Sequence, residues 1–574
     1  MTHSKNALKA IALLSSLVAL FGFAVGCYSS RIPAPVATKE LENQPIEHHF
    51  PITLTDCTQQ SGIDFVHQYD LGGERYIIET VGGSLASFDF DLDGLIDVYF
   101  LNGSPLPFDP KDVSPNCLYR NRGELRFQNV TDFAQCGAEE FGMGVAAADY
   151  DNDGFPDLFV NNFGANKLYR NNGDGTFVDM ATSAGVSVSD RMGSGASFFD
   201  ANRDGNLDLY VANYVKSPIE SNVQRTTDGI PSYPGPSDFH GENDVFFLSR
   251  GDGTFEDRTN AAGMGDVALT SMGVIAADFD DDGDDDLVVV VDVDRNLFFK
   301  NDGSGVFEEM GVRSGIAFSK DGRRNGNMGV DIGDYNNDGS LDVYTTTFSN
   351  ELPVLYRNDG LANFEDVTQA TGAGKGLFPH ANWGVAFLDL ENDRDKDLFV
   401  ANGHSDPQVG SWSYTTSWKV ANTVYANDGK GQFANVSSMC GSGLIPVESS
   451  RGLVVEDFDN DGDQDLILSN TSTKPTVIRN DSLPRGHWLQ LELIGVTNAR
   501  DGVGARVILR TESGSLVDQV VSGRSYQSSF GNRLHFGLGT DFKVDEITVR
   551  WTDGTTQKIE PTAINTRLKI QQAK

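Results

Sequence analysis

Carboxylates placed two residues apart, followed by a glycine and one further aspartate, make an oxygen-rich cradle for a hard cation. This chain repeats that spacing seven times. The first two copies read Asp89-Phe90-Asp91-Leu92-Asp93-Gly94-Leu95-Ile96-Asp97 and Asp149-Tyr150-Asp151-Asn152-Asp153-Gly154-Phe155-Pro156-Asp157. At positions 1, 3, 5 and 9 the later copies place Asp200, Asn202, Asp204 and Asp208; Asp278, Asp280, Asp282 and Asp286; and Asp334, Asn336, Asp338 and Asp342. The last two place Asp389, Glu391, Asp393 and Asp397, then Asp457, Asp459, Asp461 and Asp465. Side chains at these positions, a carbonyl near position 7 and water would supply the roughly six to eight oxygens that Ca²⁺ takes, whereas Mg²⁺ demands a tighter octahedron. Up to seven Ca²⁺ are expected. An EF-hand would need Glu at position 12 and flanking helices; position 12 is Phe100, Val160 and Val211 in the first three copies, and strand-like sequence follows. The copies differ. Asn202 and Asn336 each replace a carboxylate, and the loop at Asp389 carries Glu391 and has Arg394 where the others have glycine. Arginine there removes the easy bend and sets a cation beside the site, so this loop is expected to be the weakest of the seven and the first to lose its metal.

Each loop sits between two stretches of strand-like sequence. A glycine stands five residues before the first aspartate in six copies (Gly144, Gly195, Gly273, Gly329, Gly384 and Gly452), and Ser84 takes that place in the first. After the last aspartate comes a β-rich run such as 158–162, then a second strand such as 167–172, a Gly-Asp-Gly turn at 173–175 and a phenylalanine, Phe177. Period-two patterning predicts strands, and a glycine-containing turn between apolar runs predicts a hairpin. Each unit is thus four antiparallel strands, A to D, with the acidic loop joining A to B. Successive first aspartates lie 60, 51, 78, 56, 55 and 68 residues apart. Four-stranded units at that period predict an all-β, seven-bladed propeller with strand A innermost. The seventh unit lacks its own D strand, and residues 52–62 resemble 364–372, so residues 50–57 are expected to supply it.

The units carry a family resemblance. The acidic loop together with the Asn-x-Gly-Asp-Gly-x-Phe element resembles the FG-GAP/VCBS repeats of integrin α-chain propellers over residues 75–480. From His487 the acidic loops stop, and 488–493, 502–509, 533–539 and 544–554 alternate as strands. That stretch resembles the ASPIC/UnbV module that follows such propellers in cartilage acidic protein-like and many bacterial proteins, and a small β-sandwich-like module is expected. The expected domains are a signal peptide (1–26), a lipidated flexible tether (27–48), the propeller (49–484) and the C-terminal module (485–574).

Composition narrows the function. The chain of 574 residues has 82 acidic against 44 basic residues and a formal charge of −38, which excludes a generic nucleic-acid partner, since that needs a positive field. Lys5 and Lys9 precede an apolar run, 10–25, that ends at Gly26-Cys27. This reads as an export signal, and 24–27 resembles a lipobox with Cys27 as the lipidated residue; a plain cleaved signal and a retained anchor remain alternatives. Export, a membrane-anchored lipoprotein and a periplasmic or cell-surface location are expected. Cys117 and Cys136 lie in one unit and either pair or remain free thiols.

Propeller topology sends all acidic loops to one face and the B–C and D–A loops to the other. The long insertions fall on that second face, at 213–244 and 402–418. Arg323, Arg324, His380, Trp383, His404, Trp412, Tyr414 and Trp418 are the candidate ligand-binding residues, with a protein or a glycan as partner. The expected function is binding, adhesion or scaffolding, with calcium mainly structural and no catalytic residues assigned. The alternative is an exported hydrolase- or lyase-like enzyme acting on polysaccharide, in which His240, His380 and His404 converge with carboxylates; no nucleophile motif, zinc spacing or phosphate loop supports it.

Overall fold

The computed structural model describes residues 51–68, 73–104, 114–138, 140–189, 191–265, 267–483, 485–560 and 563–573. The expected signal peptide, Cys27 and the expected tether lie outside these residues. The chain is all-β, a propeller of four-stranded antiparallel sheets followed by a smaller β module. In the second blade, strands A to D are Phe141–Ala148, Asp157–Phe163, Lys167–Asn171 and Phe177–Asp179. The seventh blade joins Ser450–Glu456, Asp465–Asn470 and Thr476–Asn480 to Leu54–Asp56 from the other end of the chain, with Leu54 opposite Asn480 and Asp56 opposite Ile478. The strand expected from residues 50–57 therefore lies where the repeat pattern asked for it.

The repeated glycine shows how the A strands fit together. A Cβ on Gly144 would stand 1.9 Å from Ser194 O, and one on Gly329 would stand 2.3 Å from Trp383 O. Gly195, Gly273 and Gly384 meet Met272 O, Met328 O and Arg451 O in the same way, and Gly452 meets Gly83 O of the first blade at 2.8 Å. Each A strand thus abuts the next, and the seventh abuts the first. The backbones come so close that only glycine fits. In blades two to seven the A–B register shifts beside this residue, so the strand bends where it nears its neighbour. In the first blade Ser84 hydrogen-bonds Met143 O instead.

A second ring lies further out. The asparagine that ends strand C donates its amide to a carbonyl of the preceding blade: Asn171 to Phe90 O (2.8 Å), Asn301 to Ala201 O (2.8 Å) and Asn358 to Phe279 O (2.7 Å). Asn427 reaches Tyr335 O, Asn480 reaches Leu390 O, and Asn121 of the first blade reaches Phe458 O of the seventh. The third blade has Ser249 at this place. The phenylalanine of the repeat packs beside it on an aromatic of the preceding acidic loop, as in Phe127–Phe458, Phe177–Phe90 and Phe364–Phe279.

The C-terminal module has two sheets. In one, His487–Ile494 pairs with Arg533–Gly539 and, in parallel, with Thr566–Gln571. The other runs in the order Gly514–Gln519, Arg506–Thr511, Val544–Arg550, Thr556–Ile559. Leu489, Leu491, Val507, Leu509, Phe536, Ile547 and Val549 fill the space between them. The four described cysteines, Cys57, Cys117, Cys136 and Cys440, are free thiols, so Cys117 and Cys136 do not pair.

Candidate metal centres and the channel-mouth cavity

The acidic loops share one internal wiring. The carboxylate of position 1 accepts the N–H groups of positions 5 and 6, as in Asp93 N to Asp89 Oδ1 (3.0 Å) and Gly94 N to Asp89 Oδ2 (2.8 Å). Position 9 ties the loop to strand C, and in every copy but the one at Asp278 also to position 2: Asp97 accepts Asn121 N (2.7 Å) and Phe90 N (3.2 Å). Position 4 carries a positive φ in every copy, from Leu92 to Asn460, so the chain curls around the carboxylates. These bonds come from short-range sequence, which is why the loop is recognisable without any tertiary information.

In four loops three carboxylate oxygens lie within 4.8 Å of one another: Asp89, Asp91 and Asp97; Asp149, Asp151 and Asp157; Asp278, Asp280 and Asp282; Asp457, Asp459 and Asp465. These are the four copies with aspartate at all four positions. Burial pushes their first carboxyl up, to about 6 at Asp89 and Asp278 and about 8 at Asp149. It pushes Asp97, Asp157 and Asp465 well above the usual carboxylate range. Asp91 Oδ1, Asp280 Oδ1 and Asp459 Oδ1, all at position 3, are buried without a hydrogen-bond partner. Clustered hard oxygens, some of them buried with no donor, fit a metal ion. Cations of the protein already sit nearby: Arg120 reaches Asp91 (2.6 Å) and Asp93 (2.9 Å), and Lys300 lies between Asp280 and Asp282. The loops at Asp200 and Asp334 keep the wiring, with Gly205 N on Asp200 Oδ2 and Gly339 N on Asp334 Oδ2.

The loop at Asp389 differs in a way the sequence did not reveal. Arg394 takes the glycine conformation anyway, at φ 91°, and its N–H still donates to Asp389 Oδ2 at 2.8 Å. Its guanidinium is not left beside the carboxylates, contrary to expectation. It turns away to Asp541 Oδ2 (2.9 Å) and Thr511 Oγ1 (2.7 Å) in the C-terminal module.

On the opposite face the two insertions wall a cavity of about 640 Å³. Tyr214, Tyr233 and their neighbours come from the third-blade insertion, His404, Trp412 and Tyr414 from the sixth, and Phe348 and Trp383 complete the wall. Trp383 is 1 % exposed, donates its indole N–H to Gly403 O and lies under the Arg451 guanidinium, 4.1 Å from its ring centre. His404 Nδ1 accepts Asp406 N–H (3.0 Å), and burial lowers this histidine to about 4, which keeps it neutral. Of the eight residues expected to bind ligand, Trp383, His404, Trp412 and Tyr414 line this cavity, and Arg323, Arg324, His380 and Trp418 do not. Arg324 pairs with Asp294 (3.4 Å), His380 Nδ1 lies 3.1 Å from Thr416 Oγ1, and Trp418 sits under Lys419. Sequence reasoning could not say which of these residues would line the cavity. It also missed Asp292, Glu351 and Asp406, which line the cavity and carry no local motif.

Comparison with known proteins gives the chain its relatives. The FG-GAP-like repeat matches residues 89–160, 149–211, 278–345 and 334–400, and the ASPIC and UnbV family matches 495–574. The chain carries FG-GAP-like repeats and a C-terminal ASPIC/UnbV domain. It is similar to cartilage acidic protein 1 of Mus musculus, with 26% identity over 77% of this chain and 67% of that protein. The Homo sapiens protein is 25% identical over 72% of this chain and 60% of its own length. The chain thus spans about two thirds of the curated relatives it matches. Among solved structures, an Agrocybe aegerita lectin that recognises non-reducing terminal N-acetylglucosamine aligns with 68% of this chain and 87% of its own at 17% identity. Its TM-score of 0.35 is too low for the two functions to be compared.

The ASPIC/UnbV domain sits on the acidic loops. Gln490 donates to Asp457 Oδ2 (2.8 Å), Thr552 to Asp200 Oδ2 (3.2 Å) and Arg506 to Asp278 O (2.8 Å), while Asp501 accepts Asp149 N (2.9 Å). From this domain, residues 521–531 thread between the A strands. Ser525 bridges Val330, Ser529 bridges Ala86, and Gly523 abuts Ala196. Arg524 forms a buried ion pair with Asp331 at 2.6 Å. Tyr526 donates to Val81 O (2.6 Å) and meets Trp383 edge-on, 4.9 Å between centres, which brings this segment to the wall of the mouth cavity. No sequence signal on 521–531 announces this role, because its contacts lie hundreds of residues away.

Proposed function

We propose that this protein is an exported, calcium-binding propeller that serves as a binding or scaffold protein and takes its ligand in the mouth cavity. The cavity itself is the observation that carries the reading: about 640 Å³ and walled by aromatic side chains, one of which, Trp383, packs edge-on against Tyr526 of the ASPIC/UnbV domain. Rigid aromatic rings with a few placed polar groups suit ligand capture. Calcium is assigned to the acidic loops, where Asp, Asn and Glu side chains from all seven copies supply oxygen donors; the four convergent loops fit it best, and the loop at Asp389 fits it least. Its role is structural, since the loops lie beneath the ASPIC/UnbV domain and away from the cavity. The enzymatic alternative draws little support from the cavity: of His240, His380 and His404 only His404 lines it, and that ring is neutral and bound to backbone. Glycan and protein arrays probed with wild type and Trp412→Ala test the proposal. A retained ligand that the variant releases is expected. Turnover of a polysaccharide, or identical array profiles for the two proteins, would overturn it.

A further inference from the structure

Two carboxylates face each other across Gly326 at the edge of the mouth cavity. Asp292 is 8 % exposed and Glu351 is half-buried. Each is fixed through one oxygen: Tyr214 O–H donates to Asp292 Oδ2 (2.6 Å), and Gly326 N–H donates to Glu351 Oε2 (2.7 Å). A Cβ on Gly326 would stand 2.8 Å from Asp292 Oδ1 and 3.6 Å from Glu351 Oε2, so glycine keeps the gap between the carboxyls open. Asp406, the third acid of the cavity, is different: both its oxygens accept backbone N–H groups, from Gln408 and Tyr233.

Among the described residues lining the cavity there is no lysine or arginine. Three arginines act on lining residues without themselves lining the cavity. Arg451 is buried against Trp383, and Arg75 lies over Tyr233 at 5.9 Å. Arg323 exerts only the weakest of the influences on Glu351. Burial pushes Asp292 up to about 7 against the Tyr214 hydrogen bond, and Glu351 adds to the push. Two neighbouring acids with an open space between them, beside the part-exposed ring of Phe348, match a cation that also has an aromatic face to rest on.

We propose that the mouth cavity recognises a cationic nitrogen group, a protonated amine or a guanidinium, held between Asp292 and Glu351 and against the aromatic wall. The proposal rests on the reading of this cavity as the ligand site. The ammonium or guanidinium would come from a lysine or arginine side chain of a peptide, or from a free amine.

The test uses the full mature chain in calcium with four probes: acetyl-Gly-Lys-Gly-amide, acetyl-Gly-Gly-Gly-amide, cadaverine and a chitin pentasaccharide. Affinity is read by calorimetry, and folding of each variant is checked by melting. The lysine peptide is expected to bind and the all-glycine peptide not. Asp292→Asn and Glu351→Gln, which keep size and hydrogen bonding, should each weaken the lysine peptide by about tenfold or more. Cadaverine binding as tightly as the peptide identifies a small amine as sufficient; peptide binding alone identifies a protein side chain. Both support the proposal. Equal binding of the two peptides, or affinities within about twofold of wild type in both variants, overturns it. If the pentasaccharide binds, is lost in Trp412→Ala and is unaffected by Asp292→Asn, the cavity stands as a ligand site and the cationic class falls. If no probe binds and Trp412→Ala changes nothing on the arrays, both readings fall.

Discussion

Replacing Arg524 tests whether the segment between the A strands holds the two parts of the molecule together. Arg524 Nε donates to Asp331 Oδ1 at 2.6 Å, its guanidinium lies 4.5 Å from the Phe530 ring centre, and Asp331 also accepts Phe387 N at 2.7 Å. Asp331 is fully buried. Arg524→Met keeps the stem and removes the charge, which leaves a buried carboxylate with one donor. Breaking a buried pair in this way costs about 3–5 kcal/mol. An unfolding entropy near 2.1 cal/mol/K per residue over the roughly 500 described residues gives about 1.1 kcal/mol/K, so the midpoint should fall by about 3–5 °C. The pH dependence has a definite sign. Burial already raises Asp331, and Arg524 opposes that; without Arg524 the folded carboxyl rises further above its unfolded value of about 3.9. A group raised in the folded state binds its proton more tightly there, so stability is recovered as pH falls through the folded value. The deficit of the variant should therefore shrink as the pH is lowered from 7, and Asp331→Asn combined with Arg524→Met should recover part of it. Calorimetric melting in calcium measures all three. A variant within about 1 °C of wild type at pH 7, or a deficit that grows on acidification, refutes the reasoning.

Three further outcomes are expected. Chelation should lower the melting midpoint: at a hundredfold excess over Kd each site contributes about 2.7 kcal/mol, so loss of four sites lowers it by roughly 10 °C, and an unchanged midpoint with excess chelator would reject metal-linked stability. Asn358→Ala strips two buried carbonyls, Phe279 O and Leu341 O, of their donor and should cost about 1–3 kcal/mol, whereas Ser249→Asn should gain about 1 kcal/mol by supplying the missing bond to the second blade; denaturant melts that show no opposite signs would count against the ring. Arg394→Ala loses the partly buried pair with Asp541 at 2.9 Å and keeps the unfavourable φ, so it should destabilise by about 1–3 kcal/mol, and a variant as stable as wild type in the same melts would show that the guanidinium does not anchor the ASPIC/UnbV domain.

The sequence by itself determined what depends on neighbours in the chain. The acidic loop is wired by hydrogen bonds between residues 2 to 7 apart, such as Asp93 N to Asp89 Oδ1 and Phe90 N to Asp97 Oδ2, so its spacing betrays it. The repeated glycine and the Gly-x-Phe turn likewise announce the A strand and the C–D hairpin, and together they yield seven four-stranded blades and the Leu54–Asp56 strand of the last one. Fidelity to the full aspartate set even picks out the four loops whose carboxylates converge. What only the tertiary structure decided involves partners far apart in the chain. The loop face is not bare: the ASPIC/UnbV domain covers it through Gln490, Thr552 and Arg506. Arg394, a defect when read along the chain, is an anchor when read across it. Asp292 and Glu351 belong to no motif and become neighbours only because Gly326 lies between two blades' loops. Local backbone geometry is written in consecutive residues, while a docking surface or a cavity wall is set by which side chains happen to meet, and no spacing along the chain encodes that meeting.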